Sequence, residues 1–252
     1  MSGLVGDPAR QANDSLRGYI YQILRSVIVW LNLTDKEELY LEGAEDLDRI
    51  SDGEALTEQV KDTRGSGNVT LRTASVIDAI NHFWEHTERN PGTKLYFRYL
   101  TTSGVGVEKS APFGAGRGGI ALWNEAAKAP ESNNAEKLAA SLTSFLLTEG
   151  TVGQPVRDFL SNATPHEILS RLIIPIEWVT GQKDGKALVR QIKDRLVTHG
   201  AATGVAPADA ETAFDALYTA AFDAAAQKDE IPLNRAQFLR IFAGATAIQL
   251  PK

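Results

Sequence analysis

The segment between Glu42 and Lys61, EGAEDLDRISDGEALTEQVK, constrains this chain more than any other. Ser51-Asp52-Gly53 has the composition of a tight turn, so the acidic residues before it and Leu56–Lys61 after it read as strands folded back on each other. Successive side chains on a strand point to opposite faces. Thr57, Gln59 and Lys61 therefore share one face, with Leu56, Glu58 and Val60 on the other, and Asp46 and Asp48 share a face of the preceding strand. An acid, a neutral carbonyl and an ammonium group meet at the edge of a small sheet. Carboxylate and carbonyl oxygens suit Mg²⁺, and a lysine can orient an attacking water or offset developing charge. The set is one that metal-assisted phosphodiester hydrolysis requires.

The flanking sequence supplies helices and further strands. Leu16, Tyr19, Ile20, Ile23, Leu24, Val27, Ile28 and Leu31 recur at helical spacing after a cap at Asn13-Asp14-Ser15. Glu38–Glu42 alternates as a strand, with Leu39 and Leu41 on one face. Residues 62–68 form a Gly/Ser-rich loop, and Thr70–Thr87 a helix with Val76, Ile77, Ile80, Phe83 and Trp84 on its apolar side. Lys94–Thr101 (KLYFRYLT) alternates as a central strand. Residues 104–119 read as a flexible glycine-rich loop. It lacks the Lys-Ser/Thr of a phosphate-binding loop and a clean strand-to-helix crossing, which argues against NTP binding. Helices follow at Ile120–Lys128, Ala135–Leu147, Gln154–Leu160 and Pro165–Leu172.

Ile173–Val179 reads as an apolar strand that Pro175 confines to an edge. Gly185–Val197 is a helix with a basic face of Lys186, Arg190 and Lys193. Pro207–Gln227 is an Ala-rich helix burying Phe214, Leu217, Tyr218, Ala221 and Phe222, and Asn234–Phe242 closes the chain. Gly200–Pro207 (GAATGVAP) reads as a linker. The fold class is α/β, a small mixed sheet flanked by helices with a helical C-terminal extension, divided as residues 1–150 and 151–252.

Gly18-x-x-Tyr21-Gln22 on the first helix, Glu42-x-x-Glu45-Asp46, and Gln59-Val60-Lys61 come in an order that resembles a PD-(D/E)XK nuclease of the QxK variety. It is most similar to the double-stranded-DNA endonuclease domain of CD-NTase-associated and related bacterial anti-phage effectors. The motifs cover the first half of the chain. The resemblance implies a restriction-endonuclease-like core, Mg²⁺ or Mn²⁺ as cofactor, and double-stranded DNA as substrate. It implies Asp46 and Gln59 as metal ligands, with Asp48 open as an alternative to Asp46, and Lys61 as the catalytic lysine. It also makes Gln22, by position a polar flank of its helix, a site residue. Glu42 and Glu45 read as supporting or solvated carboxylates.

Other features weigh on partners. The chain has no cysteine, which excludes disulfides and thiolate metal sites. His82 and His86 are four apart on a helix but lack the Glu of an HExxH pattern, and read as helix-surface histidines. Net charge is −6, and residues 35–62 carry eleven acids against Lys36, Arg49 and Lys61. The excess negative charge surrounds the expected metal site and leaves no basic run for DNA; Lys109 and Arg117 are the candidate phosphate contacts. No signal pattern or membrane-length apolar run is present, so a cytoplasmic protein is expected. Apolar Ile241, Phe242, Ile248 and Leu250 near the C-terminus suggest continuation into a larger defence assembly, with a homo-oligomer as the active form. The alternative reading is a catalytically inactive nucleic-acid-binding or protein-assembly module.

Overall fold

The computed structural model describes residues 13–63, 67–149, 151–227 and 231–247. Ile248 and Leu250 lie outside them. The element order is α1 (Asn13–Trp30), β1 (Glu38–Leu41), β2 (Leu47–Ser51), β3 (Glu54–Lys61), α2 (Ala74–Arg89), β4 (Lys94–Thr101), α3 (Gly119–Lys128), α4 (Asn133–Thr148), α5 (Gln154–Asn162) and α6 (Pro165–Ile168). A π-helical turn (Leu169–Ile173), β5 (Ile176–Val179), α7 (Gly185–Thr203), α8 (Pro207–Ala225), β6 (Leu233–Asn234) and α9 (Arg235–Thr246) follow.

Among the described residues the strands form one six-stranded mixed sheet in the order β5-β4-β3-β2-β1-β6. The β1–β2, β2–β3 and β1–β6 pairs are antiparallel, and β3–β4 and β4–β5 are parallel. The Ser51-Asp52-Gly53 turn forms as the sequence requires: Asp52 and Gly53 take positive φ of 39° and 85°, and Ser51 pairs with Glu54. β5 is an edge strand that starts just after Pro175, where the missing N–H leaves no gap in the sheet.

Alternation on β4 divides the protein into layers. Phe97 and Tyr99 enter a core built with α2, α3 and α4, which also holds Phe83, Trp123 and Trp178. Leu100 faces the other way, with Val60, into a core built with α1, α7, α8 and α9. The sheet is thus covered by helices on both faces, as a parallel segment demands.

Several sequence expectations change. Asp46 lies before β2 rather than on a strand with Asp48. Gly200–Thr203 belongs to α7 instead of a linker: Gly200 is buried, and a Cβ there would approach Ala210 Cβ to 2.8 Å. The glycine lets α7 and α8 touch. Phe222 is 43% exposed and lies edge-on to Tyr19, while Ala210, Ala213, Leu217 and Ala221 form the buried stripe of α8. At the start of α1, Leu16 and Ile20 are exposed. The 104–118 loop is pinned: Phe113 is buried, and the buried Glu108 carboxylate accepts from Leu71 N–H (2.9 Å) and Gly119 N–H (2.8 Å).

Candidate functional site

The site grows from the short connection between β1 and β2. Glu42 follows β1 in a left-handed conformation (φ 54°), and its N–H closes the connection on Asp46 O at 3.2 Å. Asp48, the second residue of β2, holds the connection from below: its Oδ2 accepts from Ala44 N–H (2.5 Å) and Glu45 N–H (3.4 Å). A Cβ on Gly43 would lie 2.6 Å from the same oxygen, so glycine is the residue that fits against this carboxylate. Burial pushes the Asp48 carboxyl up to about 6, against the pull of those two N–H groups. Asp48 Oδ2 thus braces the loop that carries Glu45 and Asp46, while its Oδ1 is buried without a hydrogen-bond partner.

Asp46 reaches the end of β3, where its Oδ2 accepts from Val60 N–H at 2.6 Å. Burial raises its carboxyl above the usual range, while the Val60 N–H, the Lys61 ammonium and a hydrogen bond with the Gln22 side chain pull it back. Asp46 and Asp48 therefore do not act from one strand face as the hairpin reading expects. Glu42 is also raised, by burial first and then by Asp46, and Lys61 opposes the shift. Gln22 on α1 and Lys61 on β3 both act on the Asp46 carboxylate, and Gln59 shares a cleft with Asp46 that neither Gln22 nor Lys61 lines. Tyr21, beside Gln22, is buried and donates its hydroxyl to Lys183 O at 2.9 Å, which ties this part of α1 to the start of α7.

Gln59 and Asp46 line one open cleft of about 400 Å³ with Glu42, Glu45, His82 and His86. Gln59 Nε2 donates to Glu45 Oε2 at 3.3 Å. Glu45 Oε1 in turn lies 2.9 Å from His82 Nδ1 and 3.0 Å from His86 Nε2. Glu45 is a buried supporting carboxylate, and the surface reading of His86 is wrong: it is 7% exposed and turned toward the sheet. The available signal was its place three residues beyond Phe83 and seven beyond Ala79, on the buried side of α2.

Glu58 belongs to a different network. It is buried on the α1 side of β3, where Arg25 holds it at 3.0–3.3 Å and Arg98 at 3.0 Å, with Arg98 also bonded to Glu177 at 2.7 Å. It has no role at Gln59's cleft. Lys109 and Arg117 lie on the 104–118 loop. Arg117 pairs with Glu125 at 2.8 Å, the backbone carbonyl of Lys109 accepts from Arg72, and neither residue lines the cleft described above.

The donor chemistry fits a hard divalent cation. Gln59 Oε1 is buried and has no hydrogen-bond partner, and Asp46 adds a carboxylate from the same cleft. Among the described residues no cluster of three or more His, Asp or Glu side chains is arranged to hold a metal. Mg²⁺ does not need one, because it is commonly held by one or two protein oxygens with water and substrate phosphate completing the shell.

No family model matches the chain, and no curated protein matches it. Solved structures do. The Cap4 SAVED/CARF-domain containing receptor of Acinetobacter baumannii with the cyclic trinucleotide 2'3'3'-cAAA is similar over 96% of this chain and 46% of the receptor, with a TM-score of 0.55 and 13% identity. The same receptor with 3'3'3'-cAAA is similar over 90% and 44%, at TM-score 0.55 and 11% identity. The Cap4 SAVED/CARF-domain containing receptor of Moraxella osloensis is similar over 90% and 47%, at TM-score 0.56 and 10% identity. The likeness is one of fold, and the chain spans about half the length of these receptors. Among the described residues no helix is long and apolar enough to cross a membrane.

Proposed function

We propose that this chain is the nuclease unit of a larger anti-phage effector, a Mg²⁺- or Mn²⁺-dependent endonuclease that cuts double-stranded DNA. The observation that carries the reading is that Asp46 and Gln59, whose carbonyl has no hydrogen-bond partner, line one cleft, with the Lys61 ammonium close enough to Asp46 to favour its charged form. When bound, a divalent cation supplies Lewis-acid polarisation of the phosphate and a more acidic water. Asp46 and Gln59 would hold it. Gln22 and the Val60 N–H fix the Asp46 carboxylate from two sides. Lys61 orients the attacking water and offsets charge that develops on the phosphate. The fold shared with Cap4 receptors supports a defence setting. Clustering of such units would offset the weak grip on DNA expected from the chain's net charge of −6.

A second reading has one observation in its favour: two of the similar receptor structures contain a cyclic trinucleotide, which would make the shared fold a trinucleotide-binding module. Plasmid DNA incubated with a concentration series of the protein, in Mg²⁺ and in excess chelator, separates the two, alongside calorimetry with 3'3'3'-cAAA. Cleavage that requires the divalent ion and steepens with concentration supports the nuclease. Trinucleotide binding with intact plasmid at every concentration contradicts it.

A further inference from the structure

Gln59 poses a problem that an acid in its place would not. A carboxylate accepts at both ends, whereas an amide accepts at one end and donates at the other. Glutamine serves a cation only when its carbonyl is turned the right way. Here Nε2 donates to Glu45 Oε2 at 3.3 Å, which leaves Oε1 as the end without a partner in a side chain 6% exposed. The reverse orientation would set Oε1 against a carboxylate, acceptor against acceptor. Glu45 is itself held. His82 and His86, one helical turn apart on α2, both reach its Oε1, its side chain is 6% exposed, and its backbone N–H rests on Asp48.

We infer that Glu45 is a positioning residue that orients the Gln59 amide so that its carbonyl serves the cation, and that His82 and His86 fix Glu45 for this task. The inference rests on the metal-site reading above and extends it to three residues that touch no reacting atom. A carboxylate in place of Gln59 would need no such guide, so the dependence on Glu45 belongs to the glutamine.

That dependence can be measured without turnover, by following the loss of the free-ion EPR signal as the full chain takes up Mn²⁺. Glu45→Ala should weaken binding about tenfold or more, the usual effect of losing a partner that orients a ligand. In a Gln59→Glu background, where both ends accept, the same Glu45→Ala change should leave binding unchanged or tighten it by removing a like charge. Glu45→Asp keeps the charge and withdraws the oxygen from Gln59, so it should behave like Glu45→Ala; thermal melts confirm that each variant is folded. Equal weakening in the wild-type and Gln59→Glu backgrounds overturns the inference, as does wild-type affinity in Glu45→Asp. A wild type that binds Mn²⁺ and is indifferent to Glu45→Ala sinks the positioning role alone. A wild type that takes up no Mn²⁺ removes the metal site and the positioning role together.

Discussion

Replacing Asp48 with asparagine isolates the energetics of the loop that presents the site. Unfolded, this carboxyl titrates near its ordinary 3.8; folded, burial holds it at about 6. Between those values the folded state binds more protons than the unfolded state, so stability falls as pH rises through the window. The contribution is fully present below the unfolded value and is gone once pH has passed the folded one. Two units at 1.36 kcal/mol each give about 3 kcal/mol across the whole range, and about 2 kcal/mol between pH 4.5 and 7.5. The asparagine amide can still accept from Ala44 N–H but has no proton to lose. The stability of Asp48→Asn minus that of the wild type should therefore rise by about 2 kcal/mol from pH 4.5 to 7.5, read from urea unfolding curves at each pH. Nearby Glu45 and His86 shift the midpoint of the window and not its sign. A difference that is flat with pH, or that falls, refutes the reasoning.

Three further outcomes follow from the contacts around the site. Gly43→Ala forces a methyl group against Asp48 Oδ2, so it should destabilise the protein by about 1–3 kcal/mol and lower Mn²⁺ affinity, measured by thermal melt and EPR titration; an unchanged affinity would show that the loop does not set the site. Arg25→Met leaves Glu58 with Arg98 alone and should cost about 2 kcal/mol in chemical denaturation, while Mn²⁺ binding stays at the wild-type level because Arg25 and Glu58 do not line the cleft. Mg²⁺ and Mn²⁺ should support DNA cleavage and Ca²⁺ should bind without supporting it; full activity in excess chelator, or a strict need for zinc, contradicts an oxygen-donor site.

Much of this arrangement was legible because it depends on local chemistry. The KLYFRYLT alternation marks an interior strand with two buried faces, and Asp52-Gly53 supplies the positive φ that the β2–β3 turn needs. Motif order singles out Gln22, Asp46 and Lys61, and in the fold the Asp46 carboxylate feels both of the others. The failures have physical causes. Asp46 falls in the short acidic connection before β2, where no periodicity marks where the strand begins. β6 has two residues, too few for alternation to register. Gly200 resembled a flexible joint, but its missing side chain is a packing device. His86 reads as a surface residue because a histidine pair on a helix is weighed against a metal motif, whereas its partner is a carboxylate far away in sequence.

The central claim is that Lys61 works on chemistry at a divalent-ion site formed by Asp46 and Gln59. The most direct measurement is the rate of plasmid cleavage in Mg²⁺ by wild type and Lys61→Ala, paired with Mn²⁺ binding by both. The account predicts that Lys61→Ala keeps its fold and still takes up Mn²⁺ but no longer cuts. A Lys61→Ala protein that cuts DNA at the wild-type rate contradicts it.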